Sequence, residues 1–223
     1  MKYNTELKKL KNLVSSDTWD ILVASNAIIA GGAITSVFCN REVNDIDVYF
    51  RNEEDFITFI EEVYSGSYTL IANNMTNRSI LFKDRKTEQD VQVICYKWFP
   101  HILGLFVDYD FTINMGALDC SNEEFLLGPQ FLKHNAQRYL SFNEGTAYPL
   151  ISALRVNKYL EKGYTISKAQ MLRILLTINA KNIDSWETLK DEIGGMYGLD
   201  MNEVFDETKE FNLHDAIKTL DYL

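Results

Sequence analysis

The chain has 223 residues, of which 46% are hydrophobic, and a formal net charge of −10 at pH 7. This size fits one folded domain with a smaller appendage, and no apolar run reaches the roughly 18 residues that a membrane-spanning helix requires. The acidic balance argues against indiscriminate binding to nucleic acids, because their phosphate backbones would be repelled. We therefore expect no membrane partner and no DNA partner.

The three cysteines are far apart and form no CxxC pair, and the three histidines are equally scattered. Such spacing indicates reduced thiols, and it excludes a disulfide framework and a zinc or histidine metal site. The charged N-terminal stretch is not followed by the apolar core of a signal peptide. We therefore expect a cytoplasmic protein.

In the first part of the chain, helical and strand-like patterns alternate. Apolar spacing predicts one helix over residues 5–24. The elements predicted next are a strand at 27–30, a short helix at 33–38, a strand at 45–50, a helix at 53–64, and strands at 68–72, 79–83 and 89–96. The turn at residues 84–87 favours a hairpin between the last two strands. A short helix, broken near Pro100, is predicted within residues 97–106.

After Pro149 the pattern is helical to the C-terminus, with turns near Gly163, Asn182 and the Gly194-Gly195 pair. A mixed sheet flanked by helices and followed by an all-helical part is typical of the α+β class. A glycine-containing turn at residues 144–149 marks the boundary. We therefore predict one domain at residues 1–145 and a small helical domain at residues 146–223.

The most informative segment is Ile28–Phe50, with the sequence IIAGGAITSVFCNREVNDIDVYF. Asp45 and Asp47 project from the same face of a strand, with their Cα atoms roughly 6–7 Å apart. Two carboxylates at that spacing suit Mg²⁺, which completes its coordination shell with substrate phosphates. Gly31 and Gly32 have no Cβ atoms, so a triphosphate can approach the backbone there. The segment predicts a site for magnesium and a nucleoside triphosphate.

The order of apolar strand, Gly-Gly and Asp-x-Asp resembles the DNA polymerase β-like nucleotidyltransferase superfamily. The segment Asp110–Asp119, DFTINMGALD, is similar to a motif of class II CCA-adding enzymes and bacterial poly(A) polymerases. Pro149 opens a helical pattern that ends in Gly163-Tyr164-Thr165-Ile166, which resembles the first neck helix of that family. The resemblance covers about residues 25–166, and three pieces in the right order are more specific than any one of them.

The resemblance implies a nucleotidyltransferase catalytic domain at residues 1–145 and a neck-like domain at 146–223. It implies transfer of NMP from an NTP to a hydroxyl, at the 3′ end of a tRNA-like RNA, with two Mg²⁺ ions held by Asp45 and Asp47. The residues assigned to nucleotide binding are Gly31, Gly32, Ser36, Asn114, Arg155 and Lys158. The alternatives are nucleotidylation of a protein or small molecule, and a catalytically silent binding module.

Family members commonly add a third acidic group, as a metal ligand or as the base for the attacking hydroxyl. Asp110 matches the family motif and is favoured, Asp90 begins an apolar strand and is second, and Asp108 is a third candidate. The chain also departs from the family, because Asp108-Tyr109 stand where two arginines usually precede that motif. The phosphates must then be bound by other cations. The candidates are Lys83, Arg85, Arg155 and Lys158.

Between Arg155 and Lys181 basic residues are in excess, whereas the segment after Asp184 is acidic. This basic segment lies in the neck-like part of the chain, which begins near Pro149. Two interpretations stay open, namely an RNA-binding surface and an ordinary solvated helix surface. The family's Glu-Asp-x-x-Arg element, which reads the incoming base, is absent from residues 146–151. We therefore expect looser choice among the four NTPs than in a CCA-adding enzyme.

Overall fold

A seven-stranded mixed sheet organises the chain, which the computed structural model describes over residues 2–66, 68–74, 78–193 and 208–219. Its strands are β1 (Ile28–Ala30), β2 (Asp45–Tyr49), β3 (Tyr68–Asn74), β4 (Ser79–Asp84), β5 (Asp90–Ile94), β6 (Gly116–Asp119) and β7 (Glu124–Leu127). The spatial order is β3-β4-β5-β2-β1-β6-β7. Strands β2 and β5 are parallel, and the other neighbouring pairs are antiparallel. The sheet confirms the predicted α+β class and the β4–β5 hairpin.

Helices cover the sheet and continue beyond it. They are α1 (Asn4–Lys11), α2 (Ser16–Ala24), α3 (Gly32–Phe38), α4 (Glu53–Ser65), α5 (Ile102–Asp108), α6 (Phe131–Gln137), α7 (Pro149–Glu161), α8 (Lys168–Ala180) and α9 (Trp186–Ile193). A 3₁₀ turn at Thr112–Asn114 and a last described helix at Leu213–Thr219 complete the set. The predicted turn at Gly194-Gly195 lies outside the described residues. Within the described part, no helix is long and apolar enough to span a membrane.

The two faces of the sheet have different environments. Ile46 and Val48 of β2 are fully buried in the main core, together with apolar residues of α1 to α4. The opposite face carries a smaller cluster in which Tyr49 packs with Phe99 and Leu105, next to α5. Strand alternation therefore directs Asp45 and Asp47 to the face that the main core does not cover.

The single helix predicted over residues 5–24 is two helices. Helix α1 ends at Lys11, and α2 begins at Ser16 with Ser15 as its N-cap, whose hydroxyl accepts a hydrogen bond from the Thr18 backbone N–H. Asp84 supports this start, because its Oδ2 accepts hydrogen bonds from the Ser15 backbone N–H at 2.8 Å and from the Thr18 hydroxyl at 2.6 Å. The apolar spacing continues across the break, so it could not show the change of direction.

The C-terminal helices share a core with the segment that follows α5. Phe111 and Phe142 pack with Tyr159 of α7 and Ile174 of α8. Two short strands, β8 (Tyr139–Leu140) and β9 (Thr165–Ile166), pair in parallel beside this cluster. The predicted boundary between residues 145 and 146 stays a prediction. The shared core fixes α7 against the segment that carries Asp110 and Asn114.

Candidate active site

The carboxylate pair of β2 faces a cleft between the sheet and helix α7. Asp45 is exposed and Asp47 is half-buried. In the parallel register, Asp45 lies opposite Asp90 of β5, and Asp47 lies opposite Gln92. The predicted pairing of Asp45 and Asp47 on one strand face is therefore present in the fold.

The cleft has a volume of about 860 Å³, which is the size range of a nucleotide site. It is formed by the start of α3, the loop before β2, and one side of α7 with the turn after it. Its lining includes Gly32, Ser36, Arg41, Asp45, Asp47, Asn114, Arg138, Arg155, Lys158, Lys162 and Tyr164. Seven of the ten residues that the sequence nominated line this cleft, namely Asp45, Asp47, Gly32, Ser36, Asn114, Arg155 and Lys158.

The electrostatic environment of Asp47 is unusual. Burial, together with the neighbouring charge of Asp45, raises the pKa of Asp47 from its ordinary value of 3.8 to about 7. The positive charges of Arg155 and Lys158 act in the opposite direction. The carboxylate pair is therefore short of positive charge, which is the condition under which a divalent cation binds favourably.

The Asp45 and Asp47 carboxylates fit Mg²⁺ by their chemistry. Magnesium prefers oxygen ligands and usually takes one or two carboxylates from the protein, with water and substrate phosphates in the remaining positions. Within the described residues, no group of three or more His, Cys, Asp and Glu side chains is arranged to hold a metal ion. The fit therefore rests on two carboxylates plus ligands from a substrate.

Gly31 joins β1 to α3 in a conformation that favours glycine, with φ of 75°. A Cβ atom at this position would lie 3.3 Å from the Tyr109 hydroxyl oxygen and 3.7 Å from Asp47 Oδ2. Residue 31 is therefore restricted by its backbone angle and by the nearby Tyr109 hydroxyl, whereas the distance to Asp47 Oδ2 is an ordinary van der Waals contact. A Cβ at Gly32 would meet no atom within 4 Å, and Gly32 lies open to the cleft.

Asp110 belongs to a buried network with three other side chains. Its Oδ2 forms an ion pair with Arg155 Nη1 at 2.9 Å, and its Oδ1 accepts a hydrogen bond from Asn114 Nδ2 at 3.1 Å. The Tyr159 hydroxyl accepts from Asn114 at 2.7 Å and from Arg155 Nη2 at 2.8 Å. The side chain of Asp110 is 4% exposed, and that of Arg155 is 42% exposed. These contacts give Asp110 the position of a residue that orients Arg155 and Asn114.

The other candidate acids and cations have partners elsewhere. Asp90 forms an ion pair with Lys83 at 2.5 Å, and Asp108 forms one with Lys97 at 2.8 Å. Arg85 Nε donates a hydrogen bond to the Thr69 hydroxyl. None of these side chains is part of the cleft lining. Of the four cations proposed to replace the family's arginines, the cleft contains Arg155 and Lys158.

Of three further cations in the cleft, the sequence indicated one only as part of the basic segment and did not indicate the other two. Arg41, Arg138 and Lys162 come from the loop before β2, the end of α6 and the end of α7. They are far apart in the chain and belong to no motif, so only the fold brings them together. The basic character of residues 155–181 was the one available signal, and it points to Lys162 alone.

The basic segment from Arg155 to Lys181 does not form a single surface. Arg155, Lys158 and Lys162 face the cleft. Arg173 instead forms an ion pair with Glu144 at 3.5 Å, and Lys181 forms one with Glu192 at 3.6 Å. An anion in the cleft would therefore meet only the first half of this segment.

A family model described as Gad2, Gabija anti-defense 2 family protein, matches residues 3–138 of the chain. A relative named Gabija anti-defense 2, from Bacillus phage SPbetaL7, is 42% identical over 219 residues. That alignment covers 97% of this chain and 54% of the relative. The chain thus spans about half the length of the curated relative it matches.

Solved structures of tRNA-processing enzymes share the fold. A CCA-adding enzyme in complex with ATP has a TM-score of 0.59 and 12% identity, over 96% of this chain and 53% of that chain. The Thermotoga maritima CCA-adding enzyme in complex with tRNA has a TM-score of 0.56 and 11% identity, over the same shares of the two chains. At these identities the comparison shows a common fold, and it confirms the nucleotidyltransferase-type architecture.

Proposed function

This chain belongs to the Gabija anti-defense 2 family, and we propose that it is a Mg²⁺-dependent nucleotidyltransferase that transfers NMP from an NTP to a hydroxyl. The observation that carries the proposal is the convergence of Asp45 and Asp47 with Arg155 and Lys158 in one cleft of nucleotide size. Two carboxylates beside two cations form the donor set that a metal-bound triphosphate requires. A fold shared with a CCA-adding enzyme in complex with ATP supports the proposal.

Each residue has a role in this proposal. Asp45 and Asp47 hold Mg²⁺, which supplies charge neutralisation at the phosphates when it is bound. Arg155 and Lys158 contact the triphosphate, and Arg155 is kept in place by Asp110. Gly31 and Gly32 at the start of α3 allow the phosphates to approach the backbone, and the Ser36 hydroxyl, one turn later in α3, contacts the phosphates. Asn114, which is fixed by Asp110 and Tyr159, contacts the nucleotide from the side of the 3₁₀ turn.

The reaction balances without a further reagent. The acceptor hydroxyl forms a bond to the α-phosphorus, the bond between that phosphorus and the β-phosphate oxygen breaks, and pyrophosphate leaves. The hydroxyl proton passes to a carboxylate or to water. Asp110 and Asp90 were the candidate bases. Their ion pairs with Arg155 and Lys83 favour a positioning role for Asp110 and a role outside the cleft for Asp90.

The acceptor that the cleft favours is the 3′ end of an RNA. The chain is strongly acidic, yet this one cleft carries five cations against four acids, and two of those acids, Asp45 and Asp47, are the proposed metal ligands. The cations are Arg41, Arg138, Arg155, Lys158 and Lys162. A phosphodiester chain would be attracted to the cleft and repelled by most of the remaining surface. Because a relative carries the name of an anti-defense protein, the RNA that we infer is one on which a host defence depends.

A second candidate is nucleotidylation of a protein, which the name of the phage relative favours. An anti-defense protein can act by modifying a side chain of a defence component, and the reacting group is again a hydroxyl. Both candidates need the same metal and triphosphate site. They differ only in which molecule carries the label after the reaction.

The test incubates the protein with each α-labelled NTP, Mg²⁺, and either total RNA or a cell lysate. We expect label in RNA, its loss with EDTA, and its loss in the Asp45→Asn and Asp47→Asn variants. Label in protein would select the second candidate. Absence of any Mg²⁺-dependent NTP turnover would contradict both and favour a catalytically silent binding module.

A further inference from the structure

The turn after helix α7 gathers three cations that take no part in the proposed binding of metal and triphosphate. Arg41 Nη2 donates a hydrogen bond to the Lys162 carbonyl at 3.0 Å, and its guanidinium lies 5.0 Å from the centre of the Tyr164 ring. Arg138 Nη1 passes 2.9 Å from the point where a Cβ on Gly163 would lie. Arg41, Arg138 and Lys162 are therefore held around one turn, at one wall of the cleft.

Within the part of the chain that the structure describes, these three side chains are not neutralised by an acid. Among the described residues, neither Arg41 nor Arg138 nor Lys162 has a carboxylate within 4.0 Å, whereas Lys83, Lys97 and Arg173 each form an ion pair. Burial, with the positive charges of Lys158 and Arg41, lowers the pKa of Lys162. Glu42 and Glu161 line the cleft as well, but among the described residues neither forms an ion pair with these three cations, so the cluster can bind an anionic ligand.

The cations form one row along α7 that ends at this turn. Arg155 and Lys158, whose charges act on Asp47, also act on Lys162 at the end of the helix, as does Asp45. In-line displacement at phosphorus requires the attacking hydroxyl and the leaving pyrophosphate on opposite sides of the reacting centre. A triphosphate held by Arg155 and Lys158 leaves the turn end of the row, with Arg41 and Arg138, to a second ligand.

We propose that Arg41, Arg138 and Lys162 form a phosphate subsite for the acceptor, which binds the backbone phosphate next to the 3′-terminal hydroxyl of an RNA strand. This inference rests on the proposed nucleotidyl transfer to RNA, and it adds the position of the acceptor and the residues that recognise its phosphate. Guanidinium groups suit the role, because their planar donors bind two phosphate oxygens at once. The hydrogen bond to the Lys162 carbonyl and the Tyr164 ring orient Arg41 before any ligand arrives.

The experiment measures two affinities in the full chain. The first is the Kd for a short single-stranded RNA with a free 3′-hydroxyl, by fluorescence anisotropy in EDTA without NTP. The second is the Kd for ATP with Mg²⁺, by calorimetry without RNA. The variants are Arg41→Gln, Arg138→Gln and Lys162→Gln, with Lys168→Gln as control because Lys168 is exposed at the start of α8, outside the cleft lining.

We expect each cleft variant to weaken RNA binding by about tenfold and to flatten its salt dependence by about one contact. The Kd for ATP with Mg²⁺ and the affinity of Lys168→Gln for RNA should not change. Weakened ATP binding, with or without weakened RNA binding, would overturn the assignment because the cluster would then hold the triphosphate. If neither affinity changes, the assignment is overturned as well, because the three cations are then ordinary solvated side chains.

Misfolding of a variant and failure of the proposed function can each be distinguished from failure of the subsite. Lys162 is exposed, and its side chain makes no hydrogen bond or ion pair among the described residues, so Lys162→Gln should fold as the wild type does even if Arg41→Gln loses the Tyr164 contact. If RNA binding depends on Arg41 but NTP turnover is absent, the subsite stands and the proposed function fails. If protein is labelled in a Mg²⁺-dependent reaction and RNA is not bound, the proposed nucleotidyl transfer stands and the subsite fails.

Discussion

At the level of single residues, Asp47 is half-buried and lies next to a second carboxylate. Its pKa of about 7 in the folded protein is above the ordinary value of 3.8, so the folded chain binds more protons between these two pH values. By linkage, the stability that this group contributes is present at low pH and is lost as the pH rises towards and through 7. Without metal, the site therefore destabilises the protein at neutral pH.

We predict that the melting temperature in EDTA falls more steeply between pH 5.5 and 8 for the wild type than for Asp47→Asn, which lacks the titrating group. At pH 8 the variant should be the more stable of the two, because the repulsion with Asp45 is gone. Adding Mg²⁺ should raise the melting temperature of the wild type only. Parallel profiles in EDTA would contradict the raised pKa.

The same two aspartates should be indispensable for turnover. Asp45→Asn and Asp47→Asn each remove a proposed metal ligand, and a metal site is worth several kcal/mol of transition-state stabilisation, so we expect losses of roughly 10³-fold or more. Mg²⁺-dependent pyrophosphate release measures the effect. Asp20→Asn is the matched control, because Asp20 is exposed on α2 and is not part of the cleft lining. Turnover at wild-type level in either site variant would rule out the metal assignment.

Asp110 should behave differently from the metal ligands. Asp110→Asn removes the charge that holds Arg155, so we expect the KM for NTP to rise by about tenfold while the Mg²⁺ dependence stays unchanged. Arg155→Ala leaves a buried carboxylate without its ion pair, which should cost about 1–3 kcal/mol of folding stability. Kinetics with varied NTP and Mg²⁺, with thermal unfolding of both variants, test this. A loss in Asp110→Asn as large as that in Asp45→Asn would make Asp110 catalytic.

At the level of elements, local sequence patterns predicted the bounds of helices and strands well. Features that depend on contacts between distant residues were not predicted. The short helix α3 and the strand β2 appear within a residue of their predicted bounds, because glycine, apolar alternation and caps act locally. The break between α1 and α2 was missed because it depends on Asp84, which lies 69 residues beyond Ser15. The parallel pairing of β2 with β5 likewise follows from packing across the sheet, which no local pattern encodes.

The candidate site divides in the same way. Asp45, Asp47 and Gly32 carry a motif, and the sequence identified them directly. Arg41 and Arg138 are single basic residues in unremarkable surroundings. Arg138 lies in the cleft lining and takes the left-handed conformation, with φ of 50°, at the end of α6. Such a position depends on tertiary structure, so a sequence pattern could not reveal it.

Helix α7 also bears on the choice of base. It begins at Pro149, and its residues Ile151 and Leu154 present apolar side chains to the cleft. An apolar wall cannot form the paired hydrogen bonds that distinguish one base from another, and each lost bidentate contact forfeits roughly 1–3 kcal/mol of discrimination. We predict that competitive turnover of ATP, CTP, GTP and UTP gives rates within about tenfold of one another. Strict selection of C and then A would contradict this prediction.

At the level of the whole molecule, charge is distributed unevenly. The net charge is −10, but the cleft carries five cations against the four acids Glu42, Asp45, Asp47 and Glu161. A long-range field from this molecule would repel RNA, so binding must depend on short-range contacts inside the cleft. The position of a cation, and not the total charge, should then decide its effect.

Two double variants with the same change in net charge test this. Lys158→Glu with Lys162→Glu reverses two cleft cations, whereas Lys168→Glu with Arg173→Glu reverses two exposed cations of α8 that lie outside the cleft lining. We predict that the first pair abolishes measurable RNA binding at moderate salt, because it removes phosphate contacts and adds repulsion beside Asp45. The second pair should change the Kd less than threefold, and high salt should erase that difference. Equal losses of RNA affinity in the two double variants would mean that the overall charge governs association. That result would contradict the assignment of the cleft as the RNA site.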